Sequence, residues 1–451
     1  MATASPAVID GSHLSLWWGL PFAGLLLSIA VTPLVAPRFW HAHYGKVAAA
    51  WSIALVLPFT VAFGPAVAAH EVVHALLVEY VPFIAVLFAL FTIAGGICLR
   101  GHLRATPALN TGLLALGATL ASLMGTTGAS MLLIRPLLTA NEGRRYRAHA
   151  VVFFILLVGN VGGALSPLGD PPLFIGFLKG VDFFWTTRAL AWPTVALVAG
   201  LLAIFYLVDT VLFRREPEWL TGDHDPIRVA LEGTANFILL AAVVGAVLMS
   251  GLWNPGVSLD VMGTRLELQN VVRDVGLIAL ALASLALTAK EIRIHNAFHW
   301  EPIIEVAKIF AAIFVTIIPV LTILAAGREG ALGWLAHFVT RPDGQIDNVA
   351  LFWVTGVLSA FLDNAPTYLV FFNLAGGDAQ ALMGAKAVTL TAISMAAVYF
   401  GALTYIGNAP NFMIKAIAED RDVPMPSFFA YLGWAALLMV PLLLLVGVVA
   451  L

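Results

Sequence analysis

The chain has 451 residues, 61% of them hydrophobic and only 11% charged, with a formal net charge of -3. A soluble domain carries roughly 45–50% apolar and about 25% charged residues, so a water-soluble globule is excluded. The near-neutral charge, with no basic stripe interleaved with aromatics, points away from nucleic acid, and the single Cys98 excludes an intrachain disulfide or a thiolate metal cluster.

A bilayer core of about 30 Å needs ~20 apolar residues per helical crossing. Apolar runs fall near 14–35, 47–66, 81–99, 109–138, 149–180, 188–213, 235–252, 273–289, 302–326, 348–375, 385–417 and 427–451. No Lys or Arg precedes Arg38, so the first run is expected to stay as a helix and not to be cleaved as a secretory signal. The runs at 109, 149 and 385 exceed one crossing or are interrupted by Gly, Pro and Asn. Such interruptions are tolerated at membrane depth only where the freed backbone is buried or lines a cavity. We therefore expect re-entrant hairpins at 109 and 348 and broken crossing helices at 149 and 385. The fold class is all-α, a polytopic membrane protein with about ten transmembrane helices plus two hairpins.

With the N-terminus outside, fourteen of the 23 basic residues fall on cytoplasmic loops, among them Arg100, Arg104, Arg144, Arg145, Arg147, Arg214, Arg215 and Arg228, against seven outside, Arg328 included. That is the positive-inside bias. Arg135, near the cytoplasmic end of the first hairpin, is expected to snorkel. The stretch 214–233 is the longest polar interruption and is expected to be a cytoplasmic linker between two halves. Segments 1–108 and 234–347 would be scaffold helices, and 109–213 and 348–451 two transport repeats, each a hairpin followed by a broken helix. Segments 253–272 and 328–347 carry Pro, Gly and Asp turn signals and are expected to be extracellular loops.

The repeat is visible in the residues. Gly163-Ala164-Leu165-Ser166-Pro167-Leu168-Gly169-Asp170-Pro171-Pro172 matches Gly401-Ala402-Leu403-Thr404-Tyr405-Ile406-Gly407-Asn408-Ala409-Pro410, five positions being identical and three conservatively changed. Upstream, one residue out of step, Ser122, Thr126, Thr127 and Ser130 face Ser359, Asp363, Asn364 and Thr367. An odd number of crossings between the copies makes them inverted. Inverted repeats with paired broken helices place a substrate near the midplane, where rocking exposes it to either side.

At these residues the chain resembles the ion transporter superfamily, which groups arsenite permeases, sodium/proton antiporters and citrate or dicarboxylate carriers. Leu362-Asp363-Asn364-Ala365-Pro366-Thr367 is similar to the second-hairpin motif of its antiporter and arsenite branches, and Ser166-Pro167-Leu168-Gly169-Asp170-Pro171-Pro172 to their first broken-helix motif. The resemblance implies ion binding at the hairpin tips and helix breaks, and a homodimer built on the scaffold. The carboxylate carriers carry tips similar to Ser-Asn-Thr, where this chain has Thr126-Thr127 and Asp363-Asn364-Ala365.

A sodium ion is hard and takes oxygen ligands from hydroxyls, freed carbonyls and carboxylates. Ser122, Thr126, Thr127, Ser130, Ser166, Gly169, Asp170, Ser359, Asp363, Asn364, Thr367, Thr404, Gly407 and Asn408 supply them, with sodium expected at Asp363 and Asn364. Intramembrane acids are functional candidates by default. Burial disfavours a charged carboxylate and a bound cation favours it, so one Asp can hold a proton or a sodium ion. Asp170 and Asp363 are the leading proton carriers, and Glu305 with Lys308 is a candidate buried ion pair able to relay protons. The expected function is secondary active ion transport, sodium/proton antiport first and cation-coupled carriage of citrate, a dicarboxylate or another anion second. No cofactor beyond the coupling ion is expected, the partners being the bilayer, sodium, protons and a small carboxylate, in a bacterial-type cytoplasmic (inner) membrane. The positive ends of half-helices at Pro171 and Pro410 keep the anion reading alive.

His70-Glu71-Val72-Val73-His74 has the H-E-x-x-H form of zinc proteases. It is expected in a short extracellular segment, and the inverted repeat has no role in a protease. Zinc proteolysis, with Asp363 as third ligand, is the enzyme alternative.

Overall fold

The computed structural model describes residues 9–103, 105–216 and 228–451. Arg104 and most of the expected 214–233 linker lie outside them, as do the side chains of Arg228 and Arg328. The first half contains α1 (Leu20–Val35), α2 (Pro37–Phe63), α3 (Pro65–His74), a π-helical turn (Ala75–Tyr80) and α4 (Val81–Ala94). Strand β1 (Cys98–His102) leads into α5 (Pro107–Met124), α6 (Thr126–Ala140), α7 (Ala148–Leu157), α8 (Pro171–Leu178) and α9 (Phe183–Phe213).

The second half contains β2 (Arg228–Glu232), α10 (Ala235–Leu252), β3 (Ser258–Val261), β4 (Thr264–Glu267), α11 (Leu268–Leu287) and α12 (Lys290–His295). It continues through α13 (Glu301–Thr316), α14 (Ile318–Ala325), α15 (Gly333–Phe338), α16 (Asn348–Leu362) and α17 (Asn364–Leu374). The last elements are α18 (Ala379–Met383), α19 (Ala387–Phe400), α20 (Ala409–Glu419) and α21 (Phe428–Ala450). Among the described residues nine helices are long and apolar enough to cross a membrane, or ten with the bent α13–α14 pair. The chain is an all-α polytopic membrane protein.

Side-chain hydrogen bonds give the direction of each hairpin. Asn110, at the start of α5, exchanges bonds of 3.0 and 2.9 Å with Asn141, just past the end of α6. Both ends of the first hairpin therefore lie on one face. At the second hairpin, Asn348 accepts from Thr389 (2.8 Å) and Ala375 accepts through its carbonyl from Lys386 (2.8 Å). The start of α16 and the end of α17 thus both sit beside the start of α19. From His149 beside the first base, the α7–α8 segment runs to the Asp182 loop, whose backbone N–H lies on Met383 at the second base. From Lys386 the α19–α20 segment runs back to Asp422, whose carbonyl accepts from Arg147 beside the first base. Both broken segments cross, in opposite directions, and the hairpins enter from opposite faces.

The base of the first hairpin is closed by buried charge. Arg144 and Asp209 pair at 2.5 Å with both side chains fully buried. Asp209 also accepts from His149 (2.9 Å) and Asn110 (3.0 Å), while Glu216 accepts the backbone N–H groups of Arg145 and Tyr146. This network ties α5, α7 and α9 together where hydrocarbon packing alone would leave the hairpin ends free to slide.

Three features depart from the expectation. The H-E-x-x-H residues lie within a continuous 30-residue span, Pro65–Ala94, and not in an inter-helix segment. The apolar run at 302 bends by 41° between α13 and α14, because Pro319 lacks the N–H that would bond to Val315. The expected loop at 253–272 is the β3–β4 hairpin followed by the first turn of α11. A second ribbon, β1 with β2, joins the segment before the first hairpin to the end of the 214–233 stretch, which therefore finishes in a strand.

Candidate functional site

Each hairpin turns on one residue with a positive φ, Gly125 (φ 80°) and Asp363 (φ 78°). These two tips fix the structural register of the repeat. Ser166 donates to the Ser122 carbonyl as Thr404 donates to the Ala360 carbonyl. Leu168 N–H bonds the Ser166 hydroxyl at 3.2 Å as Ile406 N–H bonds that of Thr404 at 3.2 Å. The constant spacing that relates these pairs is that of the broken-helix match, so Thr126 corresponds to Asn364 and Gly125 to Asp363. The one-residue offset in the sequence comparison upstream is corrected by this geometry.

Asp170 is 1% exposed and stands at the centre. Its Oδ2 accepts from Asn364 Nδ2 at 2.6 Å, and its Oδ1 from Asn408 Nδ2 at 2.9 Å and Thr126 Oγ1 at 3.3 Å. One acid thus gathers the first hairpin tip, the second tip and the second break. Asp170 occupies the N-cap position of α8, yet its side chain makes no capping bond. A structural cap would turn its carboxylate onto its own helix. Asp363 does the opposite: its carboxylate caps α17 through Ala365 N–H (3.1 Å), and its carbonyl accepts from Thr367 (2.7 Å). Asp363 is half-buried and immediately precedes Asn364, the residue bonded to Asp170.

Four helices begin at this place: α6 at Thr126, α8 after Asp170, α17 at Asn364 and α20 after Asn408. The N-terminus of each carries a partial positive charge of about half a unit. Close backbone approach makes the breaks tight. A Cβ at Gly169 would collide with the Gly163 carbonyl, and one at Gly407 would lie 2.6 Å from the Gly401 carbonyl. Two buried atoms in this region have no hydrogen-bond partner among the described residues, Asn364 Oδ1 and Ser130 Oγ.

Other candidates take other places. Ser122 donates to the Gly162 carbonyl (2.5 Å) and Ser359 to that of Ala397 (2.7 Å). Ser122, Ser166 and Thr404 stitch hairpin arms to the breaks, while Ser359 ties α16 to the last turn of α19. Thr127 is half-buried beside the tip. The expected Glu305–Lys308 pair is not formed among the described residues. Glu305 accepts the Trp40 indole N–H at 3.0 Å, while Lys308 is exposed, 5.3 Å from the Tyr44 ring centroid. Trp40 and Tyr44, one turn apart on α2, draw the two side chains to different partners. Among the described residues no group of three or more His, Cys, Asp or Glu could hold a metal, and His70 instead meets the Met262 carbonyl (3.3 Å).

Sequence reasoning missed Asn160 and Asn411. Asn160 donates to Asn411 (2.7 Å) and accepts from Asn408 (3.2 Å), and Asn411 donates to the Gly401 and Thr404 carbonyls (2.8 and 2.9 Å). These amides brace one break against the other. The available signal was an amide within each interrupted apolar run.

Inverted hairpins, two broken crossings and a buried acid at their meeting point define a secondary transporter. The chain belongs to the family described as "Putative citrate transport", whose model matches residues 11–451. That family is consistent with the ion transporter superfamily that the motifs resemble. No curated protein matches the chain.

Proposed function

We propose that the protein couples movement of a citrate-class carboxylate to a cation, with Asp170 as the coupling carboxylate. The observation that carries this reading is the meeting of four helix N-termini on one buried acid. Converging helix N-termini favour an anion. When ionised, Asp170 and Asp363 are themselves anions there, so a carboxylate entering beside them meets repulsion until cations neutralise them. Coupling follows from that order: cation first, then substrate. The unpartnered Asn364 Oδ1 and Ser130 Oγ are oxygen acceptors suited to sodium, with Asp363, Thr126 and Thr127 close by. A proton on Asp170 would serve the same neutralising role.

A second reading, sodium/proton exchange with no organic anion, is favoured by the make-up of the site, where none of the described side chains bonded to Asp170 is cationic. Proteoliposomes loaded with buffer and given radiolabelled citrate separate the two. Citrate accumulation that requires an imposed sodium or proton gradient is the expected result. Sodium-dependent proton movement without citrate uptake would replace the first reading with the second.

A further inference from the structure

We propose that Arg135 and Arg421 form an oxyanion site at the cytoplasmic mouth, holding a carboxylate substrate on its way to or from the Asp170 chamber. The proposal rests on the carboxylate reading above. Arg135 lies on α6, about 14 Å along the helix axis from Thr126. Its Nη1 is buried with no partner, and its guanidinium makes no hydrogen bond or ion pair with a described residue. Arg421 follows the last turn of α20, is exposed, and likewise has no ion-pair partner among the described residues. α20 packs along α6, and Arg421, just beyond the C-terminal end of α20, adds a second positive charge that acts on Arg135 by repulsion.

A partly buried guanidinium with an unpaired nitrogen is costly, and a second positive charge beside it adds to the cost. A carboxylate or phosphate between them reverses the sign, because guanidinium groups bind oxyanions through paired N–H donors. The location fits a route. α6 and α20 come from different repeats, and the opposite ends of the same two helices supply Thr126 and Asn408 to Asp170. The other face lacks this pair. The repeat relation takes Arg135 to Asn373, whose amide bonds the Leu369 carbonyl (2.8 Å), and Arg421 to the buried Phe183. The oxyanion site therefore belongs to one face only.

Transport from each side of oriented vesicles tests this. Arg135→Gln should raise the KM for citrate at the cytoplasmic face by about tenfold, the scale of one lost charge-assisted contact. The opposite face and the saturated rate should stay near wild type, and Arg135→Lys should recover part of the loss. An equal KM change at both faces, or none, overturns the site. A lipid phosphate offers the same chemistry, so the measurement is repeated in pure phosphatidylcholine. Persistence of the effect there supports a substrate carboxylate. Its disappearance, with phosphatidylglycerol copurifying with wild type and not with Arg135→Gln, overturns it in favour of lipid. Calorimetric titration of citrate into detergent-solubilised Asp170→Asn separates this proposal from the functional reading. Heat that vanishes on adding Arg135→Gln supports the oxyanion site even if wild type moves no citrate, an outcome that would sink the proposed function alone; no heat from Asp170→Asn overturns the site.

Discussion

Asn364, at the tip of the second hairpin, donates its amide to the Asp170 carboxylate at 2.6 Å, joining residues 194 positions apart in the chain. This bond makes the two repeats one site. It also distinguishes the two intramembrane acids: Asp170 is addressed by other elements, whereas Asp363 serves its own helix.

The first prediction follows from that difference. Asp170→Asn keeps shape but loses the charge and the titratable proton, and gradient-driven uptake should fall by about tenfold or more. Asp363→Gly should keep a folded hairpin, because glycine accepts the positive φ, and should weaken cation dependence without abolishing binding. Asp363→Ala should fold worse than Asp363→Gly, since alanine is strained at φ 78°. Sodium titrations of uptake and size-exclusion profiles read both effects. Wild-type coupling in Asp170→Asn would move the central role to Asp363.

The breaks should be intolerant of a single methyl group. Gly169→Ala would drive a Cβ into the Gly163 carbonyl, which is backbone and has little freedom to yield. We expect aggregated or misfolded protein by fluorescence-detected chromatography. Gly112→Ala, in open space on α5, is the control and should be neutral or slightly stabilising. A monodisperse, fully active Gly169→Ala would show that the break relaxes more freely than its packing implies.

The buried pair at the base of the first hairpin should matter for stability more than for chemistry. Asp209→Asn leaves Arg144 with only the longer 3.9 Å approach to Glu216, and Arg144→Gln leaves Asp209 with His149 and Asn110 alone, so either change should cost up to about 3–5 kcal/mol. Joint replacement by Arg144→Met and Asp209→Leu should cost less than either single change suggests, although His149 and Asn110 then lose an acceptor. Thermal unfolding in detergent supplies the four corners of the cycle. Additive losses would mean that the pair contributes nothing as a pair.

Topology is testable by labelling. Cysteines at Arg145 and Asp378, both exposed at the bases of the two hairpins, should react with an impermeant maleimide from opposite faces. The native Cys98 is buried and should give little background. Labelling of both from one face would contradict the inverted arrangement.

Much of the fold was legible because the bilayer imposes length and polarity on each segment. Gly163 to Pro172 and Gly401 to Pro410 stood out because polar and helix-breaking residues are costly in an apolar run. The register of the hairpin tips was not legible to one residue. Small polar residues crowd both tips, and only the backbone turn at Gly125 and Asp363 shows which positions correspond. Glu305 and Lys308 share a helix face by spacing, but partners on α2 separate them, and spacing says nothing about a neighbouring helix.

The sequence by itself determined an all-α membrane protein with two inverted, interrupted repeats, since hydrophobic length and the cost of unsatisfied backbone in lipid leave few alternatives. Tertiary structure alone decided that Asp170 is the acid to which both hairpins turn, that Asp363 caps its own helix, and that Arg144 and Asp209 close the first hairpin base. The bond of Asn364 to Asp170 and the Arg144–Asp209 pair depend on side chains that meet across more than sixty residues of chain, in a low-dielectric interior where each polar group takes the partner that packing brings within reach.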